Sequence, residues 1–175
     1  MPTTDAYPGS PVGTIKAGKI SYAGVGVAVG GVIGFLGVIV GWFKYSYPLG
    51  SGTATVTLSG THDWTGTVAM AAAVGAFAFG VAYVLLQDAQ LRRITGVLGA
   101  ICSAFLLMMS LFGFVRVSDA VGVPVAVFTT AVGTGLAISF VGGVVAVVGS
   151  VLTSREILAA GPVSAADVPA TAVEA

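Results

Sequence analysis

The residues best placed to do chemistry sit together at His62-Asp63-Trp64, with the hydroxyls of Ser59 and Thr61 just upstream. An imidazole beside a carboxylate is the beginning of an acid–base pair or of a metal site, and a nearby hydroxyl is a potential nucleophile. Both constellations are incomplete. A metal needs three or four ligands, and the neighbouring segments add only Asp119. No nucleophile elbow surrounds Ser59. Asp63 is better suited to capping a helix that starts immediately after it. Cys102 is the only cysteine, so no intrachain disulfide can form. It falls in an apolar stretch with Met108 and Met109, where thiol and thioether act as packing groups. Haem ligation would call for a histidine in such a stretch, and none has one. The chain is expected to be non-enzymatic, with no catalytic residue, no cofactor and no metal.

The elements that would position these residues are four long apolar runs, roughly Ile20–Trp42, Thr65–Gln87, Ile94–Phe114 and Val127–Leu152, all free of Asp, Glu, Lys, Arg and His. Each is long enough for a helix to cross a hydrocarbon core of about 30 Å. Of the 175 residues 56% are hydrophobic and 8% charged, against about 25% charged in soluble domains. A water-soluble globule is excluded. Proton relays, ion-coupled transport and voltage sensing place ionisable groups at membrane depth, so those activities are disfavoured too. The formal net charge of zero and the absence of a basic patch argue against nucleic acid. The first run exceeds the 7–15 residues of a signal-peptide core, so it is read as a span.

The expected fold is therefore an all-α membrane protein, a left-handed four-helix bundle over residues 20–158 with a small β-strand or hairpin flap in its first outer loop, 43–64. Thr53–Ser59 alternates polar and apolar, the period of a strand, with Gly50, Gly52 and Gly60 as punctuation. Its partner is expected at Phe43–Tyr47, or else in another chain. Residues 1–19 and 159–175 read as disordered tails. Lys16, Lys19, Arg92, Arg93 and Arg155 flank the side shared by the termini, against Lys44 and Arg116 on the other. The positive-inside rule then puts both termini in the cytoplasm. Abundant Gly, Ala and Val with few Lys points to a bacterial plasma membrane.

Small residues recur at four-residue spacing. Gly26, Gly30, Gly34, Gly37 and Gly41 mark the first span, and Gly135, Ser139 and Gly143 the last. Such grooves let helix backbones approach closely, within one chain or against a partner helix. Trp42, Phe43, Tyr45 and Tyr47 are expected as an aromatic belt at the membrane–water interface. His62, Asp63 and Trp64 are outer-loop contact candidates. Thr129, Thr130, Thr134 and Ser139 read as a weakly polar strip along the last span.

The run TATVTLSGTHDWTGTVAMAAAVGAF, together with GLAISFVGGVVAVVGSVL in the last span, resembles small four-span membrane proteins of actinobacteria over roughly residues 20–152. That resemblance implies the four-span architecture and an accessory subunit of a larger membrane complex, as in respiratory supercomplexes or lipid-import machines. The layout is also similar to claudin-like proteins, but the W-G-L-W…C…C loop signature is missing and junction function does not carry over. The expected role is an accessory or assembly subunit, embedded in membrane lipid, with a larger complex as partner; a homo-oligomer is compatible. The rivals are an oligomeric transporter or channel component for a neutral or lipidic solute, and a lipid-directed enzyme using His62 and Asp63.

Overall fold

The computed structural model describes residues 21–121 and 129–159. Among these, four helices are long and apolar enough to cross a membrane. They are α1 (Tyr22–Ile39), α2 (Trp64–Leu85), α3 (Ala89–Val121) and α4 (Thr134–Ala159). Strands β1 (Gly41–Leu49) and β2 (Gly52–Ser59) form the antiparallel hairpin between α1 and α2. The hairpin turns at Gly50, whose φ of +61° is the conformation a tight II′ turn demands of its first central residue. A third strand, β3 (Thr129–Val132), pairs antiparallel with Phe43–Ser46 of β1, so the sheet order is β2-β1-β3.

Helix starts follow local chemistry. Ser21 accepts from the Gly24 amide at 3.4 Å, Asp63 from the Trp64 amide at 2.9 Å and Asp88 from the Leu91 amide at 2.8 Å. Each satisfies an orphan N–H of a first turn. Buried positions 135, 139, 142, 146, 149 and 153 of α4 alternate steps of four and three, the spacing of a left-handed packing seam.

The helices meet through backbone. A Cβ on Gly30 would collide with Ala146, and one on Gly142 with Gly34. A Cβ on Gly26 would lie 3.2 Å from Gly149 Cα, and one on Gly31 would lie 2.6 Å from the Phe77 amide nitrogen. The glycine faces of α1 thus rest on α4 and α2. What α1 exposes outward is Val25, Val29, Val32 and Leu36. Above these contacts a core gathers Val38, Trp42, Ala69, Ala73, Leu106, Met109 and Leu136.

Several boundaries differ from the sequence reading. The first span stops at Ile39, so Gly41 and Trp42 belong to β1. Gly41 does not continue the helical glycine series; its absent side chain makes room for Thr57 across the hairpin. The fourth span begins at Thr134 rather than Val127, because Thr129–Val132 pairs with β1. The helical strip of Thr129, Thr130, Thr134 and Ser139 therefore does not exist as one face. Helix α3 starts at Ala89 rather than Ile94 and runs past Phe114 to Val121. The tails expected at 1–19 and beyond Ala159 lie outside the described residues, as do the side chains of Tyr47 and Asp119.

Candidate functional site: the sheet end of the bundle

Trp42 organises this end. The β1–β2 register slips between Gly41 and Phe43, leaving Trp42 as the extra residue of a bulge. The bulge delivers the indole into the bundle, where it is fully buried and donates from Nε1 to the Gly37 carbonyl at 3.1 Å. Three glycines from separate segments make room for this residue, two for its ring and one for its backbone. A Cβ on Gly60 would stand 2.8 Å from the indole, one on Gly113 3.3 Å from it, and one on Gly133 2.7 Å from the Trp42 carbonyl carbon. The Gly133 amide also donates to the Trp42 carbonyl at 2.7 Å. Trp42 is thus a plug closing the helix ends and not a member of an interfacial belt. Phe43 packs partly against the same core, Tyr45 is half-buried, and Trp64 is 56% exposed.

Beside the plug, Asp63 is fully engaged. Its carboxylate accepts from the Trp64 amide, from the Thr65 hydroxyl and from Arg116 Nη1, which lies 3.1 Å from both oxygens. The Arg116 guanidinium also sits 5.8 Å from the centre of the Trp64 ring, a cation–π distance. This knot ties the start of α2 to the sheet-side part of α3. His62 is exposed in the short 3-10 turn Gly60–His62, and Ser59 and Thr61 bond each other at 2.7 Å. Asp63, His62 and Trp64 are therefore adjacent, but the carboxylate is turned to Arg116 and the helix start. Among the described residues no three His, Cys, Asp or Glu side chains gather as a metal site would require.

Two polar features within the bundle escape a linear reading. Ser110 donates to the Leu106 carbonyl, which leaves Ser139 to donate to the Ser110 hydroxyl at 3.0 Å. Further down, Ser103 donates to the Gly99 carbonyl and the Ser150 hydroxyl reaches Ser103 at 3.1 Å. All four are buried, and both pairs join α3 to α4. At the opposite end of the bundle, Glu156 Oε2 accepts from Ser21 at 2.8 Å and from Tyr83 at 3.1 Å, with Arg92 Nη2 4.0 Å away. Arg92 stacks 4.6 Å from the Tyr83 ring centre. One carboxylate so collects α1, α2, α3 and α4. The only sequence signal was that polar residues stood at four helix ends on one side.

Outside this framework, an apolar groove of about 160 Å³ runs between α1 and α2, lined by Val25, Ala28, Val29, Val81, Val84 and Leu85. No protein-family model matches the chain, and no curated protein matches it in sequence.

Proposed function

We propose that this chain is a non-enzymatic accessory or assembly subunit of a larger membrane complex in a bacterial plasma membrane, with both termini cytoplasmic. The observation that carries the reading is how the bundle interior is used: glycine, alanine and serine faces are pressed against one another, and the indole of Trp42 closes one end. A part with this interior offers contact area. The contact area lies in the exposed sheet and in the outward valine and leucine faces, because the glycine faces of α1 already serve α2 and α4. Lys44 and Arg116 sit at the sheet end, and Arg92, Arg93 and Arg155 at the other. That asymmetry supports an extracytoplasmic sheet. Respiratory supercomplexes and lipid-transport machines are the candidate assemblies.

The transport reading would draw on Ser139 as a polar foothold, and that hydroxyl is bonded to Ser110 in a buried pair. The lipid-enzyme reading would draw on Asp63, whose oxygens are taken by Arg116 and the α2 start.

The test is affinity purification of a tagged chain from native membranes in mild detergent, followed by mass spectrometry. Stoichiometric recovery of one defined complex is the expected result. Recovery of the chain alone, or only with itself, in detergents that preserve other native complexes would refute the proposal.

A further inference from the structure

Near the Glu156 end of the bundle, α1 and α2 close on each other inside but not outside. The buried glycines bring the backbones together: a Cβ on Gly24 would stand 3.2 Å from the Gly80 carbonyl oxygen, and one on Gly80 2.6 Å from the Ala28 amide nitrogen. On the outward side Ala28 is left as a floor between two branched walls. Val25 and Val29 form the α1 wall, and Val81, Val84 and Leu85 the α2 wall. This is the groove of about 160 Å³.

Depth and lining select what can occupy it. The 18 residues of α1 make a helix about 27 Å long, close to the thickness of the hydrocarbon core. Val25 and Val29 stand about 5 and about 10 Å along that helix from Tyr22. The groove therefore lies within one leaflet, in the part nearest its headgroups. No side chain in it carries a polar atom, so water finds no partner there. One turn of a helix, about 10 Å across and about 5.4 Å long, fills roughly 400 Å³ and does not enter. A flexible hydrocarbon chain does, and at this depth the bilayer itself supplies it. An unfilled groove would forfeit the dispersion contacts of its walls. At the mouth, Tyr22 shares the helix face of Val25 and Val29 and is exposed. A phenol there offers its hydroxyl at the level of lipid ester and phosphate oxygens.

We propose that the α1–α2 groove is a binding site for one acyl chain of a glycerophospholipid in the leaflet at the Glu156 end, with Tyr22 beside its headgroup. A floor and two walls touch the chain where an open helix face offers one surface, so this lipid is held in place while its neighbours exchange. The site does not depend on the accessory-subunit reading.

Photolabelling of the full chain in phosphatidylethanolamine–phosphatidylglycerol vesicles tests it. The probe is a tracer phosphatidylglycerol with a diazirine near the carboxyl end of one chain, and labelled residues are mapped by mass spectrometry. Val148 on α4 is the reference. It is the same residue type, 55% exposed, and at matching depth because Gly26 of α1 meets Gly149. Val25 and Val29 are less accessible, at 38% and 45%, yet should carry at least about threefold more label. Ala28→Leu, which raises the floor of the groove, should remove that excess without lowering the unfolding midpoint. Val148→Leu should leave the excess intact. Label at Val25 and Val29 no greater than at Val148 means ordinary bilayer contact and overturns the site. Label missing from both while Val148 is labelled means that a protein side chain fills the groove, and overturns the choice of occupant. An excess that survives in folded Ala28→Leu overturns the groove as the place of binding. If Ala28→Leu does not fold, the valine comparison in the parent chain decides alone.

Discussion

Trp42 and the glycines around it show how much of this fold depends on single atoms. A fully buried indole seated against Gly60 and Gly113, with its own backbone against Gly133, has no substitute of equal shape. Trp42→Ala should destabilise the bundle by about 3–5 kcal/mol, the range for emptying a large aromatic site. Trp42→Phe should cost less, chiefly through the lost bond to the Gly37 carbonyl, about 1 kcal/mol. Reversible unfolding in mixed micelles, followed by circular dichroism, reads both. Gly30 and Val29 make a sharper pair. A side chain on Gly30 enters the α4 backbone at Ala146, whereas Val29 already points outward. Gly30→Leu should lose at least about 1–3 kcal/mol, and Val29→Leu should stay within about 0.5 kcal/mol. Equal effects would mean that the α1–α4 contact is not the close one described.

Among the elements, the joints between helices carry the polar interactions. Asp63 both caps α2 and pairs with Arg116 on α3, and its side chain is far less exposed than that of Arg116. Asp63→Ala should therefore cost about 1–2 kcal/mol, whereas Arg116→Ala should cost below about 1 kcal/mol because the pair is solvent-screened. The difference in unfolding midpoints decides it. The serine pairs are a milder case. Ser139→Ala removes one interhelical hydrogen bond in a membrane setting and should cost about 0.6 kcal/mol. The hairpin was legible because Thr53–Ser59 alternates and is punctuated by glycine. β3 was not, because Thr129–Val132 stands at the head of the uncharged run Val127–Leu152 and carries no charge that would separate it from the span. The break at Gly133 and the doublet Thr129-Thr130 were the available hints, and they are weak beside twenty apolar residues downstream.

For the molecule as a whole, the testable quantity is its arrangement across the membrane. Tyr22 and Leu158 are exposed at the end where Glu156 gathers the helices, and Ser51 is exposed at the hairpin tip. In a C102A background, cysteines at 22 and 158 should react with impermeant maleimide only after intact cells are opened, whereas S51C should react in intact cells. The reverse labelling would invert the proposed orientation. Glu156→Ala should leave that labelling unchanged and lower stability by about 1–2 kcal/mol, since a partly exposed carboxylate is lost but the buried hydroxyls of Ser21 and Tyr83 are left without their acceptor.

Composition and period alone determined four uncharged apolar runs, each long enough to cross a membrane as a helix, and a strand or hairpin between the first two. Each such helix satisfies its own backbone within a few residues, so its signal is local and survives in the linear chain. What tertiary structure alone decided are the features that join distant residues: β3 recruited to β1, Trp42 turned from the rim into the core, glycine faces consumed inside the bundle, and Glu156 reached from three other helices. Those depend on which apolar face meets which. Four helices that are apolar all round carry almost no amphipathic pattern to declare it.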